Sequence, residues 1–492
     1  GGSRVATMDN VSDGSSLTNK ATVNLVGPLV IGFEMQTDNN GSGTRTISNN
    51  GKITDADESG IPTIGGVAKG GTATLNLAPL LGGGTITVNR DSNGYMGYKV
   101  GLILTYENND VRADSNYILT NTGTIDIRGE KSIGIQIFAP GTSSQLQVKN
   151  NSNSTITMGG IESYGLKLSS RVSRTRMEFS NLGTINISGG DKSSNSLSSG
   201  MAVIENASYT GSNSIRAYTG VVKNIGTINV SGGKGNTGMV LIVNAPDDIT
   251  NTGLINVSGS YNIGMRVDKG TVTTGASGTP QAINNGTITL RGSVAETNNL
   301  GMVANGVSIA TNNNRITLIG PAKTATGMLA TGNGGTVANT TTGNISGTGL
   351  ENSIGISVLS GSKGTNAGII NLSGTSVTGV YNDAGTFNMT AGTLNTSGNK
   401  AITLYAKGSG TSTNITGGTV SAGNGSVGLY ADNSTVNISS PAVLEASNGG
   451  LLFYNYASPA LTNPNGKFNI KGNVQTNILN GGTAFYFKGA AA

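Results

Sequence analysis

Six side chains in two stretches have the chemistry to recognise a ligand. Arginine binds carboxylates in a bidentate geometry, and tyrosine offers a flat apolar ring with a polar tip that suits sugars and protein surfaces. The six residues are Arg171, Arg174, Arg176, Tyr209, Arg216 and Tyr218. They lie where a sequence repeat is interrupted, and such interruptions commonly project as loops from one face of a repeat protein. They are our candidate ligand-binding residues, and packing of the same loops against the protein flank is the alternative.

Two further motifs could bind a metal ion or a phosphate. Asp55, Asp57 and Glu58 lie together in KITDADESG, and carboxylate oxygens are the ligands that calcium prefers. Their spacing is not that of an EF-hand loop, so they are a weak calcium candidate, and a solvated loop is the competing interpretation. The segment GNGSVG from Gly423 matches the dinucleotide fingerprint, but a βαβ context is missing around it. We therefore expect no cofactor.

Composition excludes the common catalytic centres. The 492-residue chain contains no Cys, no His and no Trp, and only 11% of its residues are charged. Imidazole-dependent nucleophiles, imidazole metal ligands, thiolates, disulfides and zinc knuckles are therefore ruled out. The formal charge is +5, but the Lys and Arg residues do not form a stripe interleaved with aromatics, so we predict no nucleic-acid partner.

The fold of a sequence repeat must position the candidate residues named above. The repeat has the form Asn-x-Gly-x-Ile-x-(Val/Ile/Leu)-x-Gly. Clear copies are NTGTIDIRG, NLGTINISG, NIGTINVSG, NTGLINVSG, NNGTITLRG and NAGIINLSG, and weaker ones begin at Asn49, Gly82 and Asp383. A companion segment such as SIGIQIF or NIGMRV follows most copies. Both alternate apolar and polar residues with a period of two, which is typical of half-buried strands.

The spacing of the copies predicts a solenoid. Neighbouring clear copies between Asn121 and Asn284 lie 27 to 60 residues apart, which indicates constant coils with variable loops. The shortest interval holds two strands, a third apolar patch and three turns, as in one coil of a three-faced parallel β-solenoid. We expect about 18 to 22 such coils, each stabilised by its neighbours. Asn and Gly are expected at turns that need a positive φ, with the Asn amides stacking from coil to coil.

These motifs resemble the passenger domains of bacterial type V (autotransporter) secreted proteins, most closely the very large autotransporter adhesins of fusobacteria. The resemblance covers about residues 19 to 440 and rests on repeats such as NIGTINVSG followed by companion segments such as NIGMRV in a chain without Cys. It implies an all-β, right-handed parallel β-helix at the bacterial cell surface. It also implies anchoring in the outer membrane by a C-terminal β-barrel that this chain does not include.

The expected function is adhesion without catalysis. The partners would be surface proteins or glycans of other bacteria or of host cells, bound by the passenger. Residues 1–492 are expected to form one continuous β-helix fragment, with 142–180 and 190–223 as loop insertions or degenerate coils. Two alternatives remain: a structural stalk whose binding tip lies outside the chain, and a polysaccharide-cleaving β-helix enzyme. An enzyme of that kind needs carboxylates, or Asp with Arg or Lys, on the strands of one face.

Overall fold

The protein is described by a computed structural model. The described residues are 3–8, 14–37, 43–55, 63–64, 67–68, 72–76, 85–89, 97–106, 115–137, 145–168, 176–189, 198–204, 219–271, 278–292, 298–456 and 466–488. They form two compact units. The first comprises Gly1–Ile255 with Gly270–Pro280, and the second comprises Asn256–Lys269 with Gln281–Ala492. The single continuous β-helix expected for residues 1–492 stays a prediction.

Fifty strands account for the regular structure, and none of the described residues is helical. The first half of the chain contains β1 Ser3–Met8, β2 Ser16–Asn19, β3 Thr22–Asn24, β4 Val30–Thr37, β5 Gly43–Asn49, β6 Lys52–Thr54, β7 Thr63–Ile64, β8 Val67–Ala68, β9 Thr72–Asn76, β10 Thr85–Asn89, β11 Lys99–Tyr106, β12 Ser115–Asn121, β13 Thr124–Ile127, β14 Ile133–Ile137, β15 Gln145–Asn150, β16 Thr155–Met158, β17 Tyr164–Leu168, β18 Arg176–Asn181, β19 Thr184–Ile187, β20 Ser198–Ile204, β21 Thr219–Asn224, β22 Thr227–Val230, β23 Asn236–Val243, β24 Asp248–Asn251 and β25 Leu254–Val257. The second half contains β26 Ile263–Lys269, β27 Gln281–Asn284, β28 Thr287–Arg291, β29 Leu300–Asn305, β30 Ile309–Asn312, β31 Arg315–Ile319, β32 Thr326–Thr331, β33 Thr336–Asn339, β34 Asn344–Glu351, β35 Ile354–Val358, β36 Lys363–Asn366, β37 Ile369–Thr375, β38 Thr378–Asp383, β39 Thr386–Met389, β40 Thr393–Ser397, β41 Ile402–Lys407, β42 Ser412–Ile415, β43 Thr419–Gly423, β44 Val427–Asp432, β45 Thr435–Ser439, β46 Val443–Ala446, β47 Leu451–Tyr456, β48 Lys467–Lys471, β49 Gln475–Ile478 and β50 Thr483–Lys488.

Within each unit these strands form three parallel sheets, which confirms the predicted parallel β-helix. In the first unit, sheet A has the order β1-β4-β11-β14-β17-β20-β23, and sheets B and C take the strands that follow each of these along the chain. In the second unit, sheet A has the order β26-β29-β32-β35-β38-β41-β44-β47-β50, and sheets B and C again take the strands that follow. One coil of the chain therefore contributes one strand to each sheet.

The alternating pattern of the repeat fills the interior. In sheet C of the first unit, Ile125, Ile156, Ile185 and Ile228 occupy the same register in successive coils and are fully buried. The threonines before them face outward and are half-buried. Full burial of each such side chain stabilises the fold by about 1.5–3 kcal/mol. A coil buries its own apolar row only when another coil lies on each side of it.

The first glycine of the repeat is explained by close approach of backbones, whereas the last glycine has the expected positive φ in two copies, at Gly232 and Gly259. A Cβ atom on Gly226 would lie 2.1 Å from the carbonyl oxygen of Gly183 in the preceding coil. Neither Gly226 nor Gly253, its counterpart one coil further on, has a positive φ, so the expectation that these positions need one is wrong. In the companion segment, a Cβ on Gly134 would lie 2.6 Å from the Gly165 carbonyl oxygen and 2.9 Å from Cγ2 of Ile156.

The repeat asparagines form the expected ladder inside each unit. Each Asn ends a strand of sheet B, is almost completely buried, and donates its amide hydrogen to the Oδ1 atom of the next. In the first unit the members are Asn19, Asn49, Asn121, Asn150, Asn181, Asn224 and Asn251, with Nδ2–Oδ1 distances of 2.7–2.8 Å. In the second unit they are Asn284, Asn312, Asn339 and Asn366, each 2.8 Å from the next. The ladder satisfies polar groups that burial would otherwise leave unpaired.

One apparent repeat copy does not form a coil. The segment beginning at Gly82 contains β10, which pairs antiparallel with β9, and β7 pairs antiparallel with β8. None of these four strands belongs to sheets A, B or C. The interpretation of this copy as a coil is therefore wrong, because its pairing partner is the preceding segment. Insertions of this kind also explain why the described strands make 15 complete coils, fewer than expected.

The two segments expected to be insertions or degenerate coils do contain sheet strands. Strands β15, β16 and β17 fall within 142–180 and contribute one strand each to sheets B, C and A. Strand β20 falls within 190–223 and belongs to sheet A. Residues 138–144, 169–175, 190–197 and 205–218 lie outside the described residues.

Candidate functional site

A row of five tyrosines lies on the outer surface of sheet A in the second unit. Tyr381, Tyr405, Tyr430, Tyr454 and Tyr486 occupy the same register in five successive strands. Along β41 and β44 the residues on either side of the tyrosine are buried while the ring is only half-buried, so the rings point outward. We call these five residues the tyrosine ladder.

Coil spacing brings the rings of the tyrosine ladder into direct contact. Consecutive ring centroids lie 5.3, 4.5, 4.7 and 5.3 Å apart, alternating between edge-to-face and stacked arrangements. Neighbouring parallel strands lie about 4.8 Å apart, so residues in one register fall at the separation that aromatic pairs prefer. Each ring is therefore held in place by the rings before and after it, which fixes the side chains before any ligand arrives.

Charged groups line one side of the ladder. Asp383, Lys407 and Asp432 share a register in three successive coils, two residues after the tyrosine of each strand. The hydroxyl of Tyr381 donates to Oδ2 of Asp383 at 2.8 Å, and the Lys407 ammonium lies 3.5 Å from the same oxygen. The hydroxyl of Tyr405 donates to Oδ2 of Asp432 at 3.1 Å. The result is an apolar strip bordered by alternating negative and positive charges.

Burial and these contacts raise the pKa values of two of the phenols. Burial raises the pKa of Tyr405, and the neighbouring Asp432 carboxylate raises it further. Burial also raises the pKa of Tyr381, and the hydrogen bond from its hydroxyl to Asp383 raises it further. The Tyr381 hydroxyl and Asp383 raise the pKa of Lys407 in turn. The phenols of Tyr381 and Tyr405 and the ammonium of Lys407 therefore all hold their protons more strongly than the free side chains do.

Most of the same outer register is closed in the first unit. Five of its residues there are at most 4% exposed, namely Glu34, Ile103, Gln136, Ala202 and Val240, while Lys167 is half-buried and Thr7 is exposed. In the second unit, by contrast, Tyr486 is 52% exposed and the other four ring positions are half-buried. Among the described residues of this register, the tyrosine ladder is thus the longest aromatic surface open to a ligand.

The structure places only part of the predicted ligand-binding set. Arg176 is the first residue of β18, where it pairs with Gln145 and Thr219. Its five predicted companions lie outside the described residues: Arg171, Arg174, Tyr209, Arg216 and Tyr218. A binding role for these six residues stays a prediction.

The Asp55 carboxylate is bound by backbone amides and by a lysine of the protein itself. Its side chain is fully buried, Oδ1 accepts the Arg128 amide hydrogen at 3.0 Å, and Oδ2 accepts that of Gly129 at 2.9 Å. The ammonium of Lys99, itself fully buried, is 3.7 Å from Oδ2. Asp57 and Glu58 fall outside the described part of the chain, within which no three carboxylate, imidazole or thiol groups are placed to hold a metal ion.

The glycine motif from Gly423 lies between two strands. Gly423 ends β43 and Gly428 is the second residue of β44. A dinucleotide fingerprint needs a strand followed by a helix whose N-terminus holds the pyrophosphate, and this turn leads into a strand instead.

Comparison with known proteins does not identify a relative of this chain. No family model, no curated protein and no solved structure matches the chain. Across the ranges that the structure describes, no helix is long and apolar enough to cross a membrane.

Sequence reasoning did not identify the tyrosine ladder, although a signal for it exists. The companion segments of the last five coils carry Tyr at one position, as in VYND, LYAK, LYAD, FYNY and FYFK. Aligning these segments on the buried residue before the tyrosine would have revealed the row. Spacing along the chain does not reveal the row, because neighbouring members lie 24 to 32 residues apart in the sequence.

Proposed function

We propose that this chain is an adhesive segment of a bacterial surface protein and that the tyrosine ladder is its contact surface. The partners would be surface proteins or glycans of other bacteria or of host cells, bound without chemical conversion. The observation that carries the proposal is the row of five outward-facing tyrosines in one register. The sequence resemblance to autotransporter passengers supports the same role and an outer-membrane location.

Physical reasons support a binding role for this row. Tyrosine is enriched at protein interfaces because it contributes a large contact area with few rotatable bonds. Contacts between neighbouring rings further reduce the conformational freedom that binding would remove. Asp383, Lys407 and Asp432 supply polar groups at the margin, where charges contribute more to specificity than to affinity.

Cell binding by matched variants tests the proposal. We expect the purified chain to bind partner bacteria or epithelial cells saturably, and Tyr430→Ala with Tyr486→Ala to weaken that binding at least tenfold. Asn414→Ala is the control, because Asn414 occupies an outer ladder of sheet B, a different face of the second unit. Free galactosides, sialic acid and arginine as competitors distinguish glycan from protein partners. Equal binding by the tyrosine variants and the control would show that the tyrosine ladder is not the contact surface.

A second candidate function is cleavage of a polysaccharide. It is favoured by Asp383 and Asp432, which end strands of one face two coils apart, with Lys407 between them. Two coils correspond to about 9.6 Å, close to the carboxyl separation of inverting glycosidases, about 6.5–9.5 Å. Release of reducing ends or unsaturated sugars from bacterial or host polysaccharides, abolished in Asp432→Asn, would support this function over simple adhesion.

A further inference from the structure

A buried pair of opposite charges joins the two ends of the first large insertion. Asp55 directly follows β6, and Lys99 is the first residue of β11. Between them lie the two antiparallel strand pairs that do not belong to sheets A, B or C. The Lys99 ammonium is 3.7 Å from Oδ2 of Asp55, and both side chains are fully buried. We call this pair the Asp55–Lys99 clasp.

Lys99 stands at the start of a regular row of small polar residues. In the coils that follow, the residues corresponding to Lys99 are Ser132, Ser163 and Ser198, all fully buried. The hydroxyls of Ser163 and Ser198 accept the amide hydrogens of Ser132 and Ser163, respectively. A serine at residue 99 would continue this row, so the long lysine at this position requires another explanation.

Two backbone groups hold the Asp55 carboxyl. The amide hydrogen of Arg128 is shared between Oδ1 at 3.0 Å and Oδ2 at 3.1 Å, and that of Gly129 reaches Oδ2 at 2.9 Å. Paired backbone amides aimed at one carboxyl group are the arrangement that stabilises a negative oxygen during acyl transfer. The amine that could attack this carboxyl is already beside it.

We propose that Lys99 and Asp55 become joined by an intramolecular isopeptide bond. A proton first passes from the Lys99 ammonium to the Asp55 carboxylate, which gives a neutral amine and a carboxylic acid. Nζ then attacks Cγ, and the Arg128 and Gly129 amides stabilise the oxyanion. A bond forms between Nζ and Cγ, the bond between Cγ and one Oδ breaks, and one water leaves with two hydrogens from Nζ. Atoms and charge balance without an oxidant or a co-reactant.

Burial favours each stage of this reaction. Burial of two charges away from water is costly, and the condensation removes both of them. The fold holds amine and carboxyl together, and such positioning is equivalent to a very high local concentration. Exclusion of water from the same site opposes hydrolysis of the product. The bond would close the insertion at its base by linking the residue before it to the residue after it.

Mass spectrometry of the folded wild-type chain tests the proposal directly. The intact mass is expected to be lower by one water, and trypsin should yield peptide 53–69 linked to peptide 91–112, because a modified Lys99 resists cleavage. The internal control is Lys407, whose ammonium is 3.5 Å from Asp383 but is 46% exposed, and it should carry no link.

The variant Lys99→Arg retains the positive charge but cannot form the amide, so its mass should equal the full sequence mass. Recovery of peptides 53–69 and 91–99 as separate, unmodified species from folded wild-type chain, even after prolonged incubation, would overturn the proposal. A link at both lysines would overturn it as well, since burial would then not be the determinant.

Discussion

The buried asparagine ladder allows a sharp mutational test. Asn312 is fully buried in the second unit, where Oδ1 accepts from Asn284 and Nδ2 donates to Asn339, both at 2.8 Å. Nδ2 also donates to the Asn314 carbonyl at 3.1 Å. The substitution Asn312→Ala removes all three hydrogen bonds and leaves the Asn339 oxygen without this donor.

The expected cost follows from these contacts. A buried polar group that loses its partner costs about 1–3 kcal/mol, and each lost hydrogen bond contributes about 1 kcal/mol net. The Asn284 amide retains its bond to the Arg315 carbonyl, which limits the total to about 2–4 kcal/mol. The neighbouring Asn313→Ala is the matched control. Its side chain donates to Asn285 and accepts from Thr340 near the surface, where neither group is fully buried, so the substitution should cost less than Asn312→Ala, about 1 kcal/mol.

Native-state hydrogen exchange is the appropriate assay, because the stability of a repeat protein is distributed over its units and unfolding need not be two-state. Protection of amides within 309–339 should fall by roughly 30- to 700-fold in Asn312→Ala, as 2–4 kcal/mol requires. Equal protection in the Asn312 and Asn313 variants would refute the inference that the buried asparagine ladder contributes more to stability than a partly exposed asparagine does.

Three further outcomes are expected. Gly301→Ala should destabilise the second unit by about 1–3 kcal/mol in urea unfolding, because its Cβ would lie 2.4 Å from a carbonyl oxygen. Gly423→Ala should be neutral, because the nearest atom to its Cβ would be Oγ of Ser447 at 3.7 Å, an ordinary contact distance. Equal effects would contradict the steric explanation. Burial lowers the pKa of Lys167 from 10.5 to about 8, so the unfolded chain binds more protons and stability should rise from pH 8 to pH 10. The rise in stability with pH should be smaller in Lys167→Met. The same pH dependence in this variant and in the wild-type chain would refute the assignment of the rise to Lys167. Tyr405→Phe, which loses the hydrogen bond to Asp432, should lower the thermal midpoint slightly and leave its ring contacts intact, whereas Tyr405→Ala should lower it more.

The sequence predicts the coils well because one short motif determines each of them. The buried residues Ile125 and Ile185 follow from a period of two, and the amide ladder follows from Asn121 and Asn181, each of which stands two residues before a glycine. These features depend on neighbours within a few residues and on the identical unit of the next coil. They are therefore visible in a single chain without knowledge of its partner strands.

Features that depend on alignment between coils are not visible in the same way. β10 has the sequence of a repeat strand, but it pairs antiparallel with β9. The pairing partner of a strand depends on which segment lies beside it in the folded chain, and the sequence of the strand alone does not specify that segment. The tyrosine ladder requires alignment of strands separated by loops of different lengths. Asp55 and Lys99 meet only because the intervening segment leaves the sheets and returns.

Footprinting of the bound chain tests the central claim, that the tyrosine ladder is the adhesive surface. Hydroxyl-radical labelling of tyrosine side chains should be compared between the free chain and the chain bound to partner bacteria or epithelial cells. We expect protection of Tyr430, Tyr454 and Tyr486 upon binding, with unchanged labelling of Tyr261 in the same unit. Saturable binding that leaves these three rings as reactive as in the free chain would contradict the account and place the adhesive surface elsewhere.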